Sequence, residues 1–194
     1  MPRVSQAEKA RNHQRIIEEA SRQIRSNGIE GLGIADLMKS VGMTHGGFYR
    51  HFKDKEDLAV AAINHAFDAF CAKLEKEIEE LGSKQALQAF IDRYLSAEHV
   101  KNPSIGCPAS ALNGEAGRCS ALEKAAISDG VSKVEELLGN ALSDLQRARA
   151  IAPETLFSLL LGTVALARSS NTGPEAEQVL ANTNVLLVEL GVLG

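Results

Sequence analysis

The chain has 194 residues, 44% hydrophobic and 24% charged, which supports a real core without disulfide staples and excludes wholesale disorder. Its formal charge of −4 is unevenly spread: residues 1–55 carry ten Lys or Arg against six Asp or Glu, and residues 56–194 carry eleven against nineteen. A basic head on an acidic body implies that only the head meets an anion, although a solvated face has the same composition.

The elements follow in chain order. Ile16, Ile17, Ala20 and Ile24 recur at helical spacing, so a first helix runs from about Ser5 to Ser26 and stops at Asn27-Gly28. A short second helix spans about Ile34 to Ser40, closed by Gly42. Thr44 is placed to cap a short third helix through His51. Asp54 caps a long fourth helix, with Glu56 and Asp57 at its positive end. That helix carries an apolar stripe of Ile63, Phe67, Phe70, Leu74, Ile78 and Leu81, ended by Gly82. Leu87, Phe90, Ile91, Tyr94 and Leu95 mark a fifth helix, and Lys101 to Pro108 is a break before a short sixth. A long helix covers about Ser120 to Ala148. Pro153 opens the next, Asn171 to Pro174 form a turn, and a last helix holds Val179 to Leu190. Aromatics are only 4%, Trp is absent, and no stretch reads as a strand. The expectation is an all-α fold of about nine helices.

Gly42 to Leu58 carries the functional signal. Phe48 and Phe52 lie four apart and share a face for the core, leaving Thr44, His45, Tyr49 and Lys55 outside. Gly46 and Gly47 each cost a helix roughly 1 kcal/mol relative to Ala, which suggests that something must approach the backbone closely. Duplex DNA fits: small residues reach the groove or phosphates, Tyr and Lys suit phosphates, and His and Arg reach base edges. The bland alternative is a helical hairpin packed for stability. Arg11 and Arg15 could approach DNA or simply form a solvated face.

This stretch resembles the TetR/AcrR family of bacterial transcriptional regulators. The resemblance lies in Gly42, in Gly47-Phe48-Tyr49-Arg50-His51-Phe52, in Lys55-Glu56-Asp57-Leu58, and in the leader Gly28-Ile29-Glu30-Gly31-Leu32. It covers about residues 11 to 60, beyond which only length and helical layout match. It implies a three-helix helix-turn-helix DNA-binding domain over residues 1–53 and a helical ligand-binding and dimerisation domain over residues 54–194. By resemblance, Thr44, His45, Gly46, Gly47, Tyr49 and His51 face DNA, Lys55 meets a phosphate, and Arg50 is a further contact. One departure is Gly33, where the family usually has Thr or Ser; a phosphate contact from that hydroxyl is absent here.

The resemblance also implies an apolar effector cavity, with Phe67, Phe70, Phe90, Tyr94, Cys107, Leu112, Leu138 and Phe157 as candidate lining, each of which could equally be core. Cys107 precedes Pro108; a helix starting there would lower the thiol pKa and suit a redox sensor, whereas a small buried packing residue is the plainer role. Cys71 and Cys119 read as structural, and the three cysteines make neither a disulfide framework nor a zinc pattern. The last two helices are expected to pair two subunits, since one helix-turn-helix reads only half a palindrome.

The leading expectation is a repressor released from a palindromic double-stranded operator by a small, mostly apolar effector that moves the fourth helix. An activator or organiser without an effector shares every feature of the head. A helical enzyme is the remaining alternative, but no nucleophile elbow, metalloprotease motif, phosphate loop or dinucleotide fingerprint occurs. No metal, cofactor or membrane partner is expected, and the apolar stretch Leu156 to Ala167 is too short to span a bilayer. The N-terminus has no signal-peptide core, and the cytoplasm is the expected location.

Overall fold

The computed structural model describes residues 6–145 and 151–194. Among them the chain forms nine α-helices and two 3-10 turns, with no strand. The expected helix start at Ser5 and the expected end over residues 146–148 lie outside the described residues.

The head comprises α1 (Gln6–Asn27), α2 (Ile34–Ser40) and a 3-10 turn over His45–Arg50. Helix α1 buries Ile16, Ala20 and Ile24, the stripe its spacing required. Helix α2 ends in a Schellman arrangement: the Met43 amide donates to the Met38 carbonyl at 2.7 Å and Gly42 to Lys39 at 3.0 Å, with Gly42 at φ +75°. The Arg15 guanidinium donates to the Val41 carbonyl at 3.0 Å, so this side chain ties α1 to the end of α2. The third element is a tight 3-10 turn where a short helix was expected. Two consecutive glycines weaken an α-helix of this length, and Thr44 stands at the cap position without a capping bond from its hydroxyl. Phe48 and Phe52 are buried and stack at 5.7 Å, as their spacing implied.

Helix α3 (Lys55–Leu81) runs from head to body. The Asp54 side chain accepts from the Asp57 amide at 2.9 Å, and the Asp57 side chain accepts from the Lys53 amide at 3.0 Å. Its buried face is Leu58, Ala62, Ile63, Phe67, Cys71 and Leu74. Phe70 and Ile78 are half-buried and Leu81 is exposed, because the stripe outlasts the neighbours that could cover it.

The body continues with α4 (Ser83–Tyr94), α5 (Ala97–Lys101), a 3-10 turn over Pro103–Ile105, α6 (Pro108–Leu112), α7 (Ala121–Ser143), α8 (Pro153–Ser169) and α9 (Gly173–Glu189). Helix α5 was not anticipated; Ser96 caps it, accepting from the His99 amide at 3.1 Å. Ser120 with Glu123 and Thr172 with Glu175 form capping boxes at α7 and α9. Gly173 and Pro174, expected in a turn, instead form the first turn of α9. Helices α8 and α9 share a buried hydrogen bond between the Thr163 and Thr183 hydroxyls at 2.9 Å. No described helix is long and apolar enough to cross a membrane.

Helix α7 packs along α3, and Gly130 lies directly under the Phe67 ring, so that a Cβ there would collide with it. Gly130→Ala is therefore expected to destabilise the fold by about 1–3 kcal/mol despite its better helix propensity. Urea unfolding of the two proteins measures the difference; a more stable alanine variant would contradict this packing.

Candidate DNA-binding face and internal cavity

The head presents a continuous exposed ridge of Thr44, His45, Gly46, Tyr49 and Arg50. Tyr49 is 65% exposed although its ring meets the buried Phe48 edge-on at 5.2 Å. Among the described residues, chain neighbours aside, nothing lies within 4 Å of where a Gly46 Cβ would stand, so internal packing does not demand glycine there. Gly47 is half-buried, with only Met38 and Thr44 side chains nearby at 3.7 Å.

His51 and Lys55 are placed differently. The His51 ring stacks near His13 at 5.8 Å, and its Nδ1 is enclosed with no hydrogen-bond partner among the described residues. Burial, reinforced by His13, Lys9 and Arg50, holds its pKa below the usual value, which favours the neutral ring. The Lys55 Nζ donates to the Glu30 carbonyl at 2.9 Å and so pins the start of α3 to the loop before α2. Gly33 caps α2 with no side-chain bond, as its missing hydroxyl requires.

In the body, a cavity of about 340 Å³ is lined by aromatic and polar groups from α3, α4, α5 and the segment before α6. Phe70, Phe90, Tyr94 and Cys107 of the sequence candidates line it. Phe67, Leu112, Leu138 and Phe157 do not; they are buried in the core around it. Phe70 meets Phe90 edge-on at 5.9 Å, and Phe90 lies tilted against Tyr94 at 5.5 Å, along α3 and α4. Sequence reasoning missed His99, Lys73, Arg93, Ser96 and Ile105, which also line the space. A lone His in an unanticipated five-residue helix gives no periodic signal.

His99 organises this end of the molecule. Its Nδ1 donates to the Tyr94 carbonyl at 2.7 Å, and its Nε2 accepts from the Cys107 amide at 3.0 Å. Those two bonds fix one neutral tautomer, and burial lowers its pKa accordingly. Gly106 lies against the ring so closely that any Cβ would overlap it.

Of the two readings of Cys107, the small buried packing residue is the one the structure supports, and the acidified thiol is not. Cys107 does stand at the N-cap of α6, but it is fully enclosed, and burial pushes its pKa up. Tyr94, Ser110 and Ala109 oppose that rise without reversing it. Cys71 is likewise buried, its pKa raised to about 11. The Tyr94 hydroxyl is enclosed beside the Cys107 thiol and the Ser110 hydroxyl.

Two bonds join the body to the head, the first of them at the cavity wall. The Arg25 guanidinium, on α1, donates to the Gly106 carbonyl at 3.0 Å. The Glu115 carboxylate accepts from the Ile29 amide at 3.0 Å, just beyond Gly28 at φ +79°.

These features agree with the comparisons to known proteins. Residues 16–62 match the bacterial regulatory proteins, tetR family. The HTH-type transcriptional regulator SAUSA300_2515 of Staphylococcus aureus (strain USA300) is 30% identical over 95 residues, 48% of this chain. That match spans about half, 51%, of the relative's length. The HTH-type transcriptional repressor NemR of Escherichia coli is 23% identical over 82% of this chain and 85% of its own. The crystal structure of its reduced form superposes with a TM-score of 0.75 at 22% identity, covering 90% of this chain and 96% of that one. FadR from Bacillus subtilis, solved in complex with stearoyl-CoA, has a TM-score of 0.64 at 18% identity, covering 92% and 97%. The head therefore matches the tetR family of bacterial regulatory proteins over residues 16–62, and the fold as a whole is the one these solved regulators share.

Two histidines held below their ordinary pKa of 6.5 give a signed pH dependence. Both favour the neutral form in the fold, so the unfolded chain binds more protons once pH falls through about 6.5. Stability from this source is complete above that pH and declines as pH falls toward the lowered native values. Thermal unfolding across pH 5–8 should show the decline, and His99→Gln should make it shallower; an unchanged slope would remove His99 as a source.

Proposed function

We propose that this protein is a homodimeric transcriptional repressor, released from a palindromic operator when a small, mostly apolar effector enters the body cavity. The exposed ridge from Thr44 to Arg50 is the observation that carries this reading. It displays polar and basic side chains around glycines whose bareness the fold itself does not require. Residues 1–53 form the DNA-binding unit in this proposal, and residues 54–194 form the effector-binding and dimerising unit.

Thr44, His45, Gly46, Gly47, Tyr49 and Arg50 contact the duplex in this reading. His51 supports the ridge from beneath, and Lys55 approaches a phosphate with the protons left free by its bond to Glu30. Phe70, Phe90, Tyr94 and Cys107 hold the effector. FadR, with the same fold, is recorded with a bound acyl compound, which supports a ligand role for this body. The Arg25 bond to Gly106 offers a route by which a change in the wall reaches α1.

Dimerisation uses α8 and α9. Leu166, Val185, Leu186 and Val188 are 40–61% exposed on these helices, an apolar surface that a second copy would cover. The proposal includes no catalytic role, and a DNA partner places the work in the cytoplasm.

Site selection from a randomised duplex library should enrich a palindrome with half-sites about 34–36 Å apart, bound less tightly as salt rises. Tyr49→Ala should weaken binding about tenfold, and Arg50→Ala should also lower the salt slope by about one if it meets a phosphate. No enrichment at any salt concentration would defeat the reading.

The dimer is tested separately. Val185→Asp with Leu186→Asp should shift sedimentation from dimer to monomer and abolish palindrome binding, because two buried unpaired charges are strongly unfavourable. An intact dimer would relocate the interface.

A further inference from the structure

We infer that the DNA-facing surface continues past Arg50 onto the first turn of α1, where Lys9 meets a backbone phosphate flanking the half-site. The inference rests on the DNA-binding reading and adds a second line of contact to it.

The first argument is the path of α1. The His13 ring stacks on Phe52, with centroids 4.6 Å apart and planes 17° from parallel, and stands 5.8 Å from the His51 ring. His51 and Phe52 follow the ridge directly in the chain, so the first half of α1 runs beside the end of the ridge. Lys9 is one turn before His13 and shares its face, because residues four apart on a helix are neighbours. Burial and then His13, Lys9 and Arg50 keep a proton off His51, which agrees with Lys9 standing on that side.

The other cations of this stretch are placed differently. Arg11 is roughly 200° round the helix from Lys9. Arg15 is engaged by the Val41 carbonyl at 3.0 Å. Lys53 is exposed but paired with Asp54 at 3.6 Å.

The second argument is that the fold has no use for this charge. Lys9 is exposed and makes no ion pair among the described residues. Glu8, its neighbour in sequence, points about 100° away round the helix. A cation in the first turn also opposes the helix dipole, so helix stability would favour another residue at this position.

The third argument is continuity. Arg50 ends the ridge, is exposed, and likewise has no ion pair among the described residues. Arg50 and Lys9 thus extend the proposed interface as one positive strip. A phosphate backbone is complementary to such a strip, and contacts of this kind fix register without reading sequence.

Fluorescence anisotropy across a salt series tests this, with duplexes carrying the palindrome that the wild-type protein selects and flanks that are long or progressively trimmed. Lys9→Met should weaken binding to the long duplex about fivefold and lower the salt slope by about one per subunit. It should select the same palindrome and melt no lower than wild type. Trimming should cost the wild-type protein the same factor at one step, and cost Lys9→Met nothing there. Arg11→Met should behave as wild type. A Lys9→Met protein with wild-type affinity and slope, equal sensitivity of the two proteins to trimming, or an equal loss in Arg11→Met would overturn the flanking contact alone. Failure of the wild-type protein to select any site would overturn the DNA-binding reading with it.

Discussion

One neutral imidazole sets the geometry of this molecule's centre. His99 must donate at Nδ1 and accept at Nε2 to hold the Tyr94 carbonyl and the Cys107 amide together. Only an uncharged ring does both. Its flat face leaves room at position 106 for glycine alone, and that glycine's carbonyl is the one Arg25 reaches from α1. The wall of the cavity, the start of α6 and the seat of the head therefore share a single anchor.

That arrangement shapes how a signal could travel. Helix α3 runs through both halves, and a swinging α3 is the route suggested by its length. The structure adds a shorter one. The segment over residues 105–107 forms cavity wall on one side and an α1 contact on the other. An occupant with unequal affinity for two settings of this wall would bias α1 through one hydrogen bond. Arg168 holds α8 to the same region through its three carbonyl contacts, so the helices proposed to dimerise meet it as well.

The sequence revealed the head far better than the cavity. Helical periodicity located α1, α3 and the later long helices, because each buries one continuous stripe. The Phe48 and Phe52 spacing gave the inward face of the third element, though not its 3-10 form, which follows from two adjacent glycines competing with cap geometry. Periodicity could not separate core from lining: Phe67 and Phe70 belong to one stripe, yet only Phe70 faces the space. Cys107 was legible as a helix start and as a small buried residue, and burial outweighs the pull of a five-residue helix on its thiol. His99 was invisible because its importance lies in tertiary bonds to two backbone groups.

Gly28 carries a consequence for modularity. Its backbone has φ +79°, and a Cβ there would run into the Glu115 carboxylate, which also accepts the Ile29 amide. The turn that ends α1 and a side chain from the body are thus fitted to each other as lock and key. A hybrid that grafts a relative's head onto this body would need a glycine in the same backbone setting, facing a carboxylate at the same height. Exchange of heads between relatives therefore has to match this joint as well as the DNA-facing ridge.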